Sequence, residues 1–237
     1  MKPIINLPVE HYLDLIRDNK PFSFSRFGDG EALCMQLAPH WLKENCDGSK
    51  FLPEIAEPMK QIFVNQHDYY HCLLDCSFDL NGNVFRDFLE TTCPDMDFYN
   101  GEIWQHLSFD GRILELIELL NEHKFCLIGG EHLKNFQHMK GLDFMGFIEI
   151  PSKDSFLVID RIQELVLSAV ESGYDFFGIC AGYTTKILID RLFPIIGDKV
   201  FLVDFGSAFD PFCGRLSRDG MRAAGKHKFQ PFTNFSL

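Results

Sequence analysis

Positive charge is scarce in this chain: 22 Lys and Arg stand against 34 Asp and Glu, a formal net charge of −12. A sequence-independent grip on nucleic-acid phosphates is therefore disfavoured as the main role, although a local basic groove stays allowed. Long apolar runs are missing as well. Nothing approaches the about 18 to 20 residues a membrane helix needs, so no span is expected. The opening segment is interrupted by Pro3 and Pro8 and turns charged at Glu10, so a signal peptide's apolar stretch is lacking and a cytoplasmic protein is expected. Repeats, low-complexity tracts and long linkers are absent too, which favours one compact unit across 1–237. Missing motifs narrow the chemistry. Without H-E-x-x-H there is no histidine zinc helix, and without G-x-S-x-G no hydrolase elbow. The eight Cys are irregularly spaced, and the close pair Cys72 and Cys76 lacks a second pair or a His at ligand spacing. Free thiols are expected, with neither zinc nor disulfides.

What the chain does have is apolar bulk, with 46% hydrophobic residues and 25 Phe, enough for a large core. Its first part, 1–109, reads as irregular. A short helix after Pro8 leads to a strand at 22–27 and a helix over 31–37; further helices are predicted near 53–65 and 84–91, flanking a strand around 69–74. From 110 to 210 the pattern is regular. A helix with Ile113, Leu116, Ile117 and Leu120 on one stripe precedes strands at 125–128 and 147–150, a long helix over 155–172, a strand at 175–180, a helix over 184–193 and a strand at 200–203. Continuous apolar strands alternating with amphipathic helices predict an α/β, Rossmann-like, mostly parallel sheet with helices on both faces. Ligands of such sheets lie beyond the carboxyl ends of the strands.

Those strand ends carry the candidate chemistry. After the first strand come Arg26, Gly28, Asp29, Gly30 and Glu31. The D-x-E pair suits a hard divalent cation, Mn²⁺ or Mg²⁺, and Arg26 a phosphate. The competing reading makes both acids caps of the next helix. Gly182-Tyr183-Thr184-Thr185 is a strand-to-helix turn able to cradle phosphate, unless Thr184 is only a cap. Gly129 and Gly130 permit close ligand approach, but the dinucleotide spacing G-x-G-x-x-G is missing. Lys153 can meet a phosphate or stay solvated. Asp204 and Asp210 flank the last strand's turn, where an acid is costly to bury unless it is paired or metal-bound. Between Arg215 and Lys228, within the tail 211–237, Arg218 and Arg222 belong to a basic strip that reads as an anion-binding lid or as a solvated end.

Five of these segments, in this order, resemble the GT-D type glycosyltransferases, a family first known as a bacterial domain of unknown function. Ser25-Arg26-Phe27-Gly28-Asp29-Gly30-Glu31 is similar to the signature S-x-R-F-G-D-G-E. Cys126 to Gly130, Ile148 to Phe156, Ile179 to Thr185 and Leu202 to Gly206 are similar to its other strand-end motifs. The chain departs at Asp154-Ser155, Tyr183 and Ser207, where the family favours Asn-Ala, Pro and His. The resemblance implies transfer of a sugar from a nucleoside diphosphate donor, most simply a UDP-sugar, with Asp29 and Glu31 holding the cation. Gly182 to Thr185 and Lys153 would bind phosphate or ribose, and the hydroxyl of a glycan or glycoconjugate would be the acceptor. Asp204 or Asp210 is the expected base. A nucleic-acid acceptor is disfavoured by charge. Two other classes compete: a nucleotide-binding regulator of the same fold without transfer, and a Rossmann-like methyltransferase using Gly129 and Gly130.

Overall fold

The computed structural model describes residues 1–35, 43–45, 48–79 and 82–237. In chain order these form α1 (Val9–Arg17), β1 (Ser23–Phe27), α2 (Asp29–Cys34), α3 (Ala56–Asn65), β2 (Tyr70–Leu73), α4 (Gly82–Thr92), β3 (Tyr99–Asn100), α5 (Ile103–Phe109), α6 (Ile113–Leu120), β4 (Phe125–Gly129), β5 (Gly146–Glu149), α7 (Ile159–Glu171), β6 (Phe176–Cys180), α8 (Thr184–Ile196), β7 (Phe201–Asp204) and α9 (Asp219–Ala224). The end of the expected helix 31–37 and the thiol of Cys46 lie outside the described residues. Free thiols, as expected, are found at all seven described cysteines.

One sheet takes all seven strands in the order β3-β2-β1-β7-β6-β4-β5, and every pairing is parallel. The 1–109 part, which reads as irregular, contributes three of those strands. Side chains alternate across the sheet with a period of two, as the pleat requires. Phe27, Ile128, Phe177, Ile179 and Leu202 enter a core closed by α3, α4, α7 and α8. Phe24, Phe125, Leu127, Phe201 and Val203 enter a second core closed by α1, α5 and α6. Each fully buried Leu or Phe contributes about 1.5 to 3 kcal/mol. The expected α/β fold with helices on both faces is the fold observed.

The site follows from this winding. β1 runs into α2, whose Ala32 and Cys34 join the first core, whereas its neighbour β7 runs into a turn whose Phe209 and Phe212 join the second. Adjacent strands that send their chains to opposite faces leave a crevice beyond their carboxyl ends. Among the described residues, no helix is long and apolar enough to cross a membrane.

Candidate active site

A cavity of about 580 Å³ opens over the carboxyl ends of β1, β7, β6 and β4. Its floor is built by β1 and α2. β1 ends at Phe27 and turns through Gly28, and Glu31, in the first turn of α2, folds back so that Oε2 accepts the Gly28 amide at 2.8 Å. The capping geometry that competes with cation binding is thus present at Glu31. The other oxygen, Oε1, lies 3.1 Å from Lys186 Nζ on α8.

Lys186 is the hub of the floor. Besides Glu31, its ammonium meets Asp204 Oδ2 at 3.0 Å and the Gly182 carbonyl at 3.0 Å, which commits all three of its donors. Burial acts to depress its pKa, but Asp204 and Glu31 outweigh burial and the opposing charge of Arg26, so the value stands above the ordinary lysine range. The ammonium is kept. Asp204, the last residue of β7, is fully buried; its Oδ2 also accepts the Arg26 amide at 3.1 Å, which ties β7 to β1.

Arg26 is 3% exposed and lines the cavity, yet its Nε and Nη1, themselves fully buried, have no hydrogen-bond partner among the described residues. Nε lies 3.6 Å from Asp204 Oδ1, beyond hydrogen-bond reach, and that oxygen is likewise unpartnered. Gly206, at φ +52°, is what allows the guanidinium to lie there: a Cβ at 206 would fall 1.5 Å from Arg26 Nη2. Asp29 is half-buried at the rim. Its Oδ1 accepts the Gly30 amide at 2.8 Å and lies 3.7 Å from Cys76 Sγ, and its Oδ2 has no partner among the described residues. Burial pushes the Cys76 thiol up to about 11 and the Cys180 thiol well above its ordinary value, so neither cysteine lining the cavity is a thiolate near neutrality.

Of the residues singled out in the sequence, Arg26, Gly28, Asp29, Glu31, Gly130, Gly182, Asp210, Arg218 and Arg222 line this one cavity. Five do not. Asp204 lies beneath it. Gly129 sits within β4, where a Cβ would come 2.3 Å from Leu133. Lys153 is exposed and packs over Gly48. The Thr184 and Thr185 hydroxyls, expected to cradle phosphate, are fully buried and serve the turn: one accepts from Ser155 at 2.9 Å, the other from the Ala181 amide at 3.0 Å. Their amides bond the Ala181 and Gly182 carbonyls, which leaves Gly182 as that turn's contribution to the cavity.

Sequence reasoning missed Lys186, His132, Gln105 and Glu102. A signal for Lys186 was present: it is the lone cation in the run Thr184–Ile189, where every residue is buried. An ammonium in such a run needs carboxylate partners. Among the described residues, five cationic and four acidic side chains line the cavity, a balance unlike the −12 of the whole chain. For a hard divalent cation, Asp29 fits, with one oxygen uncommitted, since such ions are commonly bound through one or two carboxylates plus substrate phosphates. Glu31 fits only by sharing its carboxylate with Lys186. Among the described residues, no three His, Cys, Asp or Glu side chains are grouped to hold a metal without such help.

No family model matches the chain. No curated protein matches it either. Solved structures do. One described as "A New Glycosyltransferase (DUF1792) from Streptococcus sanguinis" superposes with a TM-score of 0.66 at 16% identity, over 98% of this chain and 94% of the other. Another, described as "The highly conserved domain of unknown function 1792 has a distinct glycosyltransferase fold", gives 0.64 at 19% identity, over 87% and 79%. A selenomethionine-substituted structure of domain 1792 gives 0.63 with the same identity and coverage. The fold is therefore that of these domains, as the resemblance read from five sequence segments implies. At such identities the likeness is one of fold.

Proposed function

We propose that this protein is a glycosyltransferase that takes a sugar from a nucleoside diphosphate donor, most simply a UDP-sugar, and passes it to a hydroxyl of a glycan or glycoconjugate. The observation that carries the reading is Arg26, a buried guanidinium that lines a cavity at the sheet's crevice and whose charge, among the described residues, is met only by a carboxylate at 3.6 Å, with Nε and Nη1 unpartnered. A buried polar group without a partner costs about 1 to 3 kcal/mol, more when charged, so a guanidinium this poorly paired gains when an anion comes beside it. A diphosphate has the charge to pair with this guanidinium where Arg26 lines the cavity.

The leaving nucleoside diphosphate gains negative charge as the bond to the sugar's anomeric carbon breaks. Arg26 meets that charge with a guanidinium fixed beside the cavity, and Lys186 holds Glu31 and Asp204 so that Arg26 is not drawn fully into a salt bridge. Asp29 offers a carboxylate oxygen to Mn²⁺ or Mg²⁺, with Glu31 beside it. Such a cation, when bound, offsets charge on the diphosphate. Arg218 and Arg222 stand at the rim, where a long anionic ligand passes out of the cavity.

The test is direct. Purified protein is melted with nucleoside diphosphates and nucleotide sugars, with and without Mn²⁺, and then incubated with labelled donor to follow its hydrolysis and transfer. Ligand-dependent stabilisation is expected through mass action, together with slow release of sugar from the donor. Stabilisation by S-adenosylmethionine and by no nucleotide would overturn the proposal. Binding of nucleotide sugar without any consumption would make the protein a regulator on the same fold.

A further inference from the structure

Position 207, where the resembled family favours His, is Ser here, and its hydroxyl is taken up by Arg218 Nε at 3.1 Å and Gln105 Nε2 at 3.5 Å. Among the described residues, one histidine lines the cavity, and it comes from another strand end. His132 follows β4 in the short 3-10 segment Glu131–His138, and its Nε2 lies 3.0 Å from Oδ1 of Asp210, which opens the 3-10 turn Asp210–Cys213 after β7. The two turns leave the sheet toward the same core, where the Phe136 and Phe209 rings stack at 4.1 Å and fix one turn against the other. Asp210 is 7% exposed, and its backbone is pinned by bonds to Ser207 and Arg215. The pair is held rigidly on the cavity wall.

We propose that His132, oriented by Asp210, is the general base of the transfer, an inference that rests on the glycosyltransferase reading. A carboxylate can only accept, so the ring nitrogen 3.0 Å from Asp210 carries the proton, and Nδ1 is left with the lone pair. Nδ1 makes no hydrogen bond to a described residue. The missing side chain at Gly130 keeps its approach clear, since a Cβ there would lie 3.3 Å from Nδ1. In the step, the acceptor hydroxyl gives its proton to His132 Nδ1 as its oxygen bonds the anomeric carbon. The bond from that carbon to the diphosphate oxygen breaks, and its electron pair leaves with the nucleotide. Asp210 steadies the imidazolium that forms, the arrangement by which a base is held by a third group. Water can take the acceptor's place, so the base can be tested before the acceptor is known.

The experiment measures donor hydrolysis and nucleoside diphosphate binding for wild type, His132→Ala, His132→Gln and Asp210→Asn. Loss of a general base lowers kcat by about 10² to 10⁴-fold. Both His132 variants should show that loss with donor Kd within about threefold of wild type, and added imidazole should restore His132→Ala in part while leaving His132→Gln unchanged. Asp210→Asn, which no longer fixes the proton on Nε2, should fall by about 10²-fold or more with donor binding intact. Full hydrolysis by either His132 variant overturns the proposal. So does a loss in His132→Ala that imidazole does not relieve, which would move the base to Asp210 itself. If the wild type neither binds nor consumes any nucleotide sugar, the glycosyltransferase reading fails first. An active wild type with an active His132→Gln sinks the base alone.

Discussion

Replacing Lys186 by Met keeps the length of the side chain and removes its charge. The loss is calculable from its three contacts, Glu31 at 3.1 Å, Asp204 at 3.0 Å and the Gly182 carbonyl at 3.0 Å. Without the ammonium, Asp204 keeps only the Arg26 amide and the distant guanidinium Nε, and it has no access to water. Breaking a buried pair from one side costs about 3 to 5 kcal/mol. For a protein of this size each kcal/mol lowers Tm by about 2 to 4 °C, so Lys186→Met should melt roughly 6 to 20 °C below wild type. The pH dependence has a definite sign. In the wild type the lysine pKa is raised above 10.5, so its contribution is complete below the unfolded value and is lost only as pH rises through the folded one. In Lys186→Met that contribution is gone at every pH, so the deficit against wild type is full near neutrality and shrinks as pH rises through the wild-type lysine's raised value. Glu31→Gln made on top of Lys186→Met should cost less than Glu31→Gln alone, with a coupling of about 0.5 to 3 kcal/mol. Denaturant titrations of the four proteins at several pH values supply all of these quantities. A deficit below about 1 kcal/mol, or one that does not change with pH, would refute the claim that Lys186 compensates two buried charges.

Asp29→Asn should leave Tm nearly unchanged, because the carboxylate is half-buried and, among the described residues, bonds only its neighbouring amide and a thiol. Donor hydrolysis should fall about 10²-fold or more and lose its response to Mn²⁺, and an active, metal-responsive variant would place the cation elsewhere. Glu31→Gln is the less clean test, since it also weakens the Gly28 cap and the Lys186 pair. Gly206→Ala puts a Cβ 1.5 Å from Arg26 Nη2 at a φ of +52°, so both stability and nucleotide affinity should drop, and melting with a nucleotide titration reads both. Affinity kept in a destabilised Gly206→Ala would remove Arg26 from the diphosphate site. Arg222→Gln, on an exposed side chain paired with Asp219, should change stability by no more than about 0.5 kcal/mol. It should weaken an anionic ligand and flatten the salt dependence of binding, and an unchanged KM would return the tail to a solvated surface.

Legibility of the fold followed the local signal. In the half from 110 to 210, each strand is an apolar run bounded by glycine or proline, and the observed strands β4 to β7 agree with the predicted runs to within a residue or two at either end. The helix predicted over 155–172 begins instead with a 3-10 turn, Ser155–Val158, before α7, and α8 runs past Phe193 through Pro194 to Ile196. β1 agrees with the strand predicted at 22–27, and β2 with the one near 69–74, although β1 carries Ser23, Ser25 and Arg26, all buried polar side chains. β3 is two residues long, too short to show any period, and α5 and α9 were not anticipated. The sheet order has no local trace: β1 lies between β2 and β7 because Ser23 and Phe24 pair with Leu202 and Val203 across nearly the whole chain.

At the site the division is the same but sharper. Glycines and acids at strand ends are visible because a tight turn demands one and phosphate or metal chemistry the other, and both demands are met within a few residues. Lys186 and His132 acquire meaning only through distant partners. His132 sits 78 residues from Asp210 and resembles any histidine after a glycine turn until β4 and β7 are placed on the same sheet. Lys186 could have been inferred one step further than the motifs reached. In a parallel sheet the first turn of α8 stands over the carboxyl ends of its neighbours, and a lysine buried there must meet acids from those same ends. The chain supplies Asp204 and Glu31 at such ends, so the neutral floor follows from burial and topology together, before any ligand is considered.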